Sequence, residues 1–124
     1  MKALEIIAEL NEIDPNQYDN ELKLRWLSEL DGKIVRELIE THEDEETAAA
    51  YEAADYTDGE VTLLIPAPWA HGVYINYLRS KIAEANAEAD RYNLYASVFN
   101  SEYGQFAAWY NRETPMKRAA GWRY

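Results

Sequence analysis

The sequence predicts an all-α protein: a small helical bundle with a long C-terminal heptad-patterned helix, or a helical hairpin in its place. Apolar residues recur at helical spacing in three stretches of the chain. They make up 48% of its 124 residues, which is enough for a packed core. A single short extended segment, in a loop, is predicted from Val61 to Ile65. We divide the chain into a helical domain, residues 1–111, and a basic C-terminal tail, residues 112–124.

Two amphipathic helices are predicted in the first third of the chain. The first runs from Lys2 to Ile13 and ends at Asp14-Pro15, because proline disfavours helical geometry in the residue before it. The second runs from Asn20 to His42, and its apolar phase survives the interruption at Asp31-Gly32. We therefore expect one helix there, kinked if at all at that glycine. The apolar positions of the two helices are Ala3, Ile6, Ile7, Leu10, Ile13, Trp26, Leu27, Leu30, Ile34, Val35, Leu38 and Ile39.

The stretch from Glu40 to Glu60 holds nine acids and no lysine or arginine, a composition typical of a solvated loop. Val61 to Ile65 follows it and is bounded by Pro66-Ala67-Pro68, which predicts one extended segment. A lone strand leaves its backbone unpaired, so it needs a partner strand. That partner lies in this chain or in a neighbouring copy.

The last large element runs from Ala70 to Asn111 and carries a heptad seam. A single helix of this length would be about 63 Å long. We slightly favour this continuous or kinked helix over a hairpin broken near Asn86-Ala87-Glu88, because the phase is unbroken and no Gly or Pro lies between Val73 and Tyr103. Compactness favours the hairpin, and a continuous helix would need another subunit to cover part of its seam. The seam is Ile75, Leu78, Ile82, Ala85, Ala89, Tyr92, Ala96, Phe99, Tyr103, Phe106 and Tyr110.

Composition argues against several classes of function. The net charge of −11 repels nucleic acid and anionic membrane. The chain has no cysteine, which excludes disulfides and thiolate chemistry. We find no nucleophile elbow and no phosphate-binding glycine loop, so we expect no enzymatic activity and no cofactor. No stretch is apolar enough to cross a membrane, and the N-terminus does not read as a signal peptide, which predicts a cytoplasmic protein unless it travels within an assembly.

Metal binding is not expected either, although two histidines and many acids are present. His42 ends the second predicted helix among acids, where a capping or surface role is typical. His71 begins the last element. The acids from Asp55 to Glu60 do not have the spacing of an EF-hand loop. A metal-dependent enzyme built on His42 and its acids is the third function that we consider.

Aromatic residues give the clearest indication of contacts with other chains. Ten of the sixteen fall between Trp69 and Tyr110. Those on the seam are expected in the core: Tyr92, Phe99, Tyr103, Phe106 and Tyr110. Tyrosine and tryptophan off the seam are typical of protein interfaces. Together with the extended segment they give a predicted subunit interface: Val61, Leu63, Ile65, Trp69, Tyr74, Tyr77, Tyr95 and Trp109.

The C-terminal tail differs in charge from the rest of the chain. Residues 112–124 have four bases and one acid, a net charge of +3, whereas residues 1–111 have eight bases and 22 acids, a net charge of −14. The tail is either a solvated terminus or a docking peptide, since arginine with tryptophan is common in binding hot spots. The predicted partner-binding residues are Arg112, Lys117, Arg118, Trp122, Arg123 and Tyr124.

Several short motifs resemble those of bacteriophage head–tail connector (adaptor, or head-completion) proteins. They are Asn16-Gln17-Tyr18, Trp26-Leu27, Glu40-Thr41-His42-Glu43, Asp90-Arg91-Tyr92-Asn93, Phe99-Asn100 and Trp109-Tyr110-Asn111-Arg112. The resemblance implies a helical virion protein that forms a ring, commonly of twelve copies, under the portal protein. It also implies a channel for DNA, a C-terminal tail that grips the portal, and a stopper or tail-completion protein as the other neighbour.

We therefore expect a structural virion protein that passes DNA without binding it specifically. An acidic channel suits this role, because each phosphate contact by lysine or arginine would add affinity for the DNA. The alternative is an acidic phage-encoded inhibitor that mimics DNA and blocks a host DNA-binding protein, since the net charge of −11 also fits that function.

Overall fold

The computed structural model describes residues 2–39, Tyr56 and residues 59–113, and most of these are helical. Its four helices are α1 (Ala3–Ile13), α2 (Asn20–Ile34), α3 (Trp69–Ala85) and α4 (Ala89–Glu113). A π-helical turn, Val35–Ile39, continues α2. The predicted all-α class is confirmed. Gly32 lies within α2 without ending it, and the last predicted residues of that helix, 40–42, lie outside the described residues.

The extended segment finds its partner within the chain, at the start of α1. Lys2 and Thr62 form an isolated antiparallel bridge. The Ala3 amide donates to the Val61 carbonyl at 2.9 Å, and the Leu4 amide donates to the Gly59 carbonyl at 2.8 Å. Helices begin with amides that have no partner inside the helix, so these bonds satisfy α1 and the segment together. The sequence left open whether the partner of the extended segment lies in this chain or in a neighbouring copy, and in the structure it lies in this chain.

The C-terminal element is a helical hairpin, and our slight preference for a continuous helix is wrong. α3 ends at Ala85, and Ala87 has a φ of 58°, which turns the chain into α4. The Glu88 amide donates to the Ala83 carbonyl and the Ala87 amide to the Glu84 carbonyl. This pair of bonds is the Schellman motif, which usually places glycine where Ala87 lies. Because this residue is alanine, a search of the sequence for glycine and proline does not reveal the end of α3.

Replacing Ala87 by glycine will raise the free energy of unfolding by about 0.5–1 kcal/mol. Glycine adopts a left-handed φ without the steric cost that a Cβ imposes, and this gain exceeds the extra entropy of the unfolded chain. Urea unfolding measures the change. Ala85→Gly is the matched control, because the same substitution inside the last turn of α3 should lower stability by about 1 kcal/mol. Equal effects at both positions would contradict the left-handed turn.

The helix α3 is the centre of the molecule, since it packs against α1, α2 and α4. α4 runs antiparallel to it. The Trp69 and Trp109 rings are 4.5 Å apart at one end of the pair, and Tyr77 and Phe99 are 5.3 Å apart near its middle. Buried residues of all four helices, together with Leu63 and Ile65, form one hydrophobic core.

Only part of the predicted seam is buried. Ile75, Leu78, Ile82, Phe106 and Tyr110 lie in the core. Phe99 and Tyr103 are half-buried, whereas Ala85, Ala89 and Tyr92 are exposed, so the core prediction is wrong for Tyr92. The bend explains this exposure, because the first turns of α4 after the bend pack against α3 on one side and face solvent on the other.

Candidate functional site

The residues considered for metal binding do not assemble into a site in the part of the chain that the structure describes. His71 is exposed, and its Nε2 lies 2.9 Å from Glu9 Oε1. His42 and Asp55 lie outside the described residues. Among residues 2–39, Tyr56 and 59–113, no three His, Asp or Glu side chains are placed to hold a metal ion. The helices of this part include none that is long and apolar enough to cross a membrane.

Among the acids that the structure describes, the most buried is Asp31, which lies at the junction of α2, α3 and the extended segment with 2% of its surface exposed. Its carboxylate accepts hydrogen bonds from the hydroxyls of Tyr74 and Tyr56, each at 2.5 Å, and from the Leu64 amide at 3.1 Å. The Tyr74 hydroxyl in turn accepts from the Ile65 amide at 3.0 Å. We call Asp31, Tyr56 and Tyr74 the aspartate cluster.

Electrostatics in the aspartate cluster reflect its burial. Removal from water raises the pKa of Asp31, although the three hydrogen bonds that it accepts act in the opposite direction. Burial and the nearby carboxylate raise the pKa of Tyr74 well above its usual value. The Tyr74 hydroxyl therefore remains a donor, and the cluster fastens the extended segment to the helices rather than exposing a reactive group.

Asp31 was not predicted to be buried, although its position in the sequence carries a signal. It lies four residues after Leu27 and seven after Leu24, both of which are buried. Residues at these spacings share one face of a helix. An acid on the apolar face of a helix predicts a buried carboxylate with donors around it, whereas we took Asp31-Gly32 only as an interruption.

A second buried charge, Lys23, fixes the connection between α1 and α2. Its ammonium donates to Asn11 Oδ1 at 2.5 Å and to the Tyr18 carbonyl at 2.9 Å, and the residue is 1% exposed. Burial lowers the pKa of Lys23, while the charge of Asp19 acts against that shift. This lysine was not a candidate in our sequence analysis, and it too serves the fold.

A third polar cluster joins the same connection to the α3–α4 hairpin. The Asp14 carboxylate lies 3.3 Å from Arg79 Nε and 3.4 Å from Arg91 Nη2. Arg79 also donates to the Tyr95 hydroxyl at 2.7 Å and lies over its ring. Beside this cluster, the Tyr18 hydroxyl donates to Asn86 Oδ1 at 2.6 Å. The bend of the hairpin is thereby held against the start of α2.

The predicted subunit interface divides into two groups. Leu63, Ile65, Tyr74 and Tyr77 have at most 8% of their surface exposed, and they contact residues of their own chain. The structure corrects the prediction for these four. Leu63 and Ile65 are in the core because the extended segment pairs with α1, whereas Tyr74 bonds to Asp31 of α2 and Tyr77 packs against Phe99 of α4. Val61, Trp69, Tyr95 and Trp109 are half-buried, so for them a subunit contact stays a prediction.

Of the predicted tail, the structure describes Arg112 and Glu113 as exposed residues in the last turn of α4. The helix therefore continues past the domain boundary that we placed after Asn111. The remaining predicted partner-binding residues lie outside the described residues: Lys117, Arg118, Trp122, Arg123 and Tyr124.

A groove of about 310 Å³ lies between α2 and α4. Aromatic and apolar side chains form its floor, and Lys33 and Glu37 lie at its edge. Glu37 accepts a hydrogen bond from the Tyr103 hydroxyl at 3.0 Å. Burial, together with the charge of Glu37, raises the pKa of Tyr103. The floor residues are Leu30, Ile34, Tyr77, Phe99 and Tyr103, with Asn100 beside them.

Comparison of the chain with known proteins found no matching family, no curated relative and no similar solved structure.

Proposed function

We propose that this chain is a structural virion protein, a head–tail connector that forms a ring under a phage portal and surrounds a DNA channel. The observation that carries the proposal is the geometry at the end of α4. Trp69, the first residue of α3, contacts Trp109, so the last turn of α4 extends beyond α3. Arg112 is exposed on that turn. The basic tail therefore begins at the end of a rigid helix.

Charge supports a docking role for that tail. It carries a net charge of +3 next to a body of −14, and charge complementarity guides a segment to its partner and fixes the orientation of the complex. The acidic body also fits a protein that lets DNA pass, because it offers few cations to phosphate groups. Together these features fit the resemblance to connector proteins that the sequence motifs carry.

The buried polar groups of the described helices support a role without catalysis. Asp31 and Lys23 each bond to other parts of their own chain, and the partly buried Asp14, just after α1, does so as well. Catalytic groups, by contrast, lie in clefts where a substrate reaches them. We therefore propose that this protein works by its shape and its contacts, with no enzymatic activity and no cofactor, and that it resides in the virion.

Four of the described carboxylates are paired within the chain, which counts against the DNA-mimic alternative. A mimic needs free carboxylates spaced along one surface as phosphates are in DNA. Asp14 and Asp31 are bonded within the chain, Glu60 is paired with Lys2 at 2.9 Å, and Glu9 is paired with His71.

Co-sedimentation with the portal ring of the phage from which this chain comes tests the proposal. The full chain should sediment with the ring, and a variant that lacks residues 114–124 should not. The variant Lys33→Ala/Arg36→Ala is the control, because it removes two bases from the body and should still bind. Failure of the full chain to bind, or its absence from mature particles, would overturn the proposal. Binding that survives loss of the tail would overturn the role of the tail.

A further inference from the structure

The outer face of α4 is free of charge over most of its length. It consists of residues that share one exposed side of the helix: Asn93, Ser97, Asn100, Ser101, Gly104, Ala108 and Asn111. We call this set the α4 outer face. It spans about 27 Å at 1.5 Å per residue. Between Asn93 and Asn111 the helix has one charged residue, Glu102, which lies on the opposite side across Gly72 of α3.

Such a face is unusual in a chain with 28% charged residues. The exposed side of α2, for comparison, carries Glu21, Arg25, Glu29 and Lys33. Protein interfaces are depleted of charge at their centre, because a buried charge must lose its water. Leu94, at the border of the α4 outer face, is 57% exposed, the most exposed large apolar residue described in the chain.

Gly104, in the middle of this face, is not required by any contact among the described residues. A Cβ at this position would meet no atom within 4 Å, so the described chain does not require a glycine there. Glycine weakens the interior of a helix relative to alanine. A small residue at the centre of an uncharged face does, however, let another backbone approach closely.

Charged residues at the two ends of the α4 outer face indicate which partner binds it. Asp90 lies on the same side of α4 just before the face, and Arg112 lies just after it; both are exposed. Among the described residues neither makes a hydrogen bond or an ion pair. They lie 22 residues apart, about 33 Å along the helix, with opposite charges.

We propose that two copies of this chain pair through their α4 outer faces, with the two helices antiparallel. A register centred at Ser101 places Asp90 of each copy opposite Arg112 of the other. The same register places the two copies of Ser101 opposite each other and Leu94 opposite Ala108 of the second copy. A parallel pair would instead place Asp90 beside Asp90. The contact has two-fold symmetry, as most pairs of identical chains do.

A second copy fits this face better than an unrelated partner does. Two bodies of charge −11 repel wherever their acids meet, and this face lets them approach without such contacts. A basic partner would bind more favourably to the acidic surfaces of the chain than to this uncharged face. The two-fold pair describes the free chain, and it is a contact distinct from the ring of the proposed function, on which it does not depend.

Sedimentation equilibrium of full-length variants tests the pairing of the two ends. Asp90→Arg alone should weaken the dimer about tenfold, because it sets two arginines against each other at both ends. It does so although it makes the chain less acidic, which by itself would strengthen association. Arg112→Asp should weaken the dimer as well. The double variant Asp90→Arg/Arg112→Asp keeps the original net charge and should restore dimer formation to the level of the unaltered chain.

A pair of glycine variants tests the centre of the contact. Gly104→Glu should abolish the dimer, since it places two like charges where the helices are closest. Gly32→Glu is the matched control, because Gly32 is also an exposed helical glycine whose Cβ would meet no atom. It changes the charge equally and should leave the dimer intact.

Three results would overturn the inference. They are a chain that is monomeric at millimolar concentration, a double variant as weak as either single one, and a Gly104→Glu variant that dimerises as Gly32→Glu does. Binding to the portal ring is measured separately, so loss of the dimer with retained ring binding rejects this inference alone. Loss of ring binding with a retained dimer rejects the proposed function alone.

Discussion

Replacing Asp31 by alanine will lower the free energy of unfolding by about 3 kcal/mol. The substitution removes the acceptor of two tyrosine hydroxyls and of the Leu64 amide. Tyr74 is fully buried, so its hydroxyl would lose this acceptor away from water. The cost is reduced because the variant no longer buries a carboxylate, whose loss of water already raises the pKa of Asp31. Urea unfolding followed by circular dichroism measures the change.

The control for this experiment is Glu29→Ala, two residues earlier in the same helix. Glu29 is exposed, and surface substitutions of this kind usually change stability by less than about 0.5 kcal/mol. Tyr74→Phe should reproduce part of the loss, since it removes one of the three hydrogen bonds that Asp31 accepts while keeping the ring in place. An Asp31→Ala variant as stable as Glu29→Ala would show that the aspartate cluster does not hold the extended segment to the helices.

Local patterns were sufficient to predict most of the fold. The periodicity of apolar residues predicted α1, α2 and the arms of the hairpin, because a helix buries one face and repeats it every three to four residues. The bend could not be predicted in the same way. Ala87 adopts a left-handed φ that alanine rarely takes, and the choice depends on how α4 packs against α3.

The candidate site was less accessible to sequence reasoning. Lys23 was missed although its partners Asn11 and Tyr18 lie only 12 and 5 residues away. The position of Asp31 on the apolar face of α2 indicates burial, but its hydrogen-bond partners could not be predicted. Tyr74 is 43 residues from Asp31, and no local pattern joins them. The α4 outer face was also missed, since a set of small polar residues becomes informative only when the structure shows which side of the helix is exposed.

Buried and exposed leucines of the hairpin should differ sharply in their effect on stability. Leu78→Ala will lower the free energy of unfolding by about 3 kcal/mol, because Leu78 is fully buried in the middle of α3 and its removal leaves a cavity. Leu94→Ala makes the same chemical change in α4, where 57% of the residue is exposed, and should alter stability by less than about 0.5 kcal/mol.

The stability comparison is made in dilute solution, where the proposed dimer dissociates. When two copies associate, Leu94 is expected to contribute to the contact between them, whereas Leu78 is not. Leu94 borders the α4 outer face, so Leu94→Ala should weaken the dimer in sedimentation equilibrium although it leaves the folded monomer intact. Leu78→Ala, measured where most chains remain folded, should leave the dimer constant unchanged. A Leu94→Ala variant that is as destabilised as Leu78→Ala would contradict the hairpin, since a leucine with that cost must lie in a core rather than on an exposed side of α4.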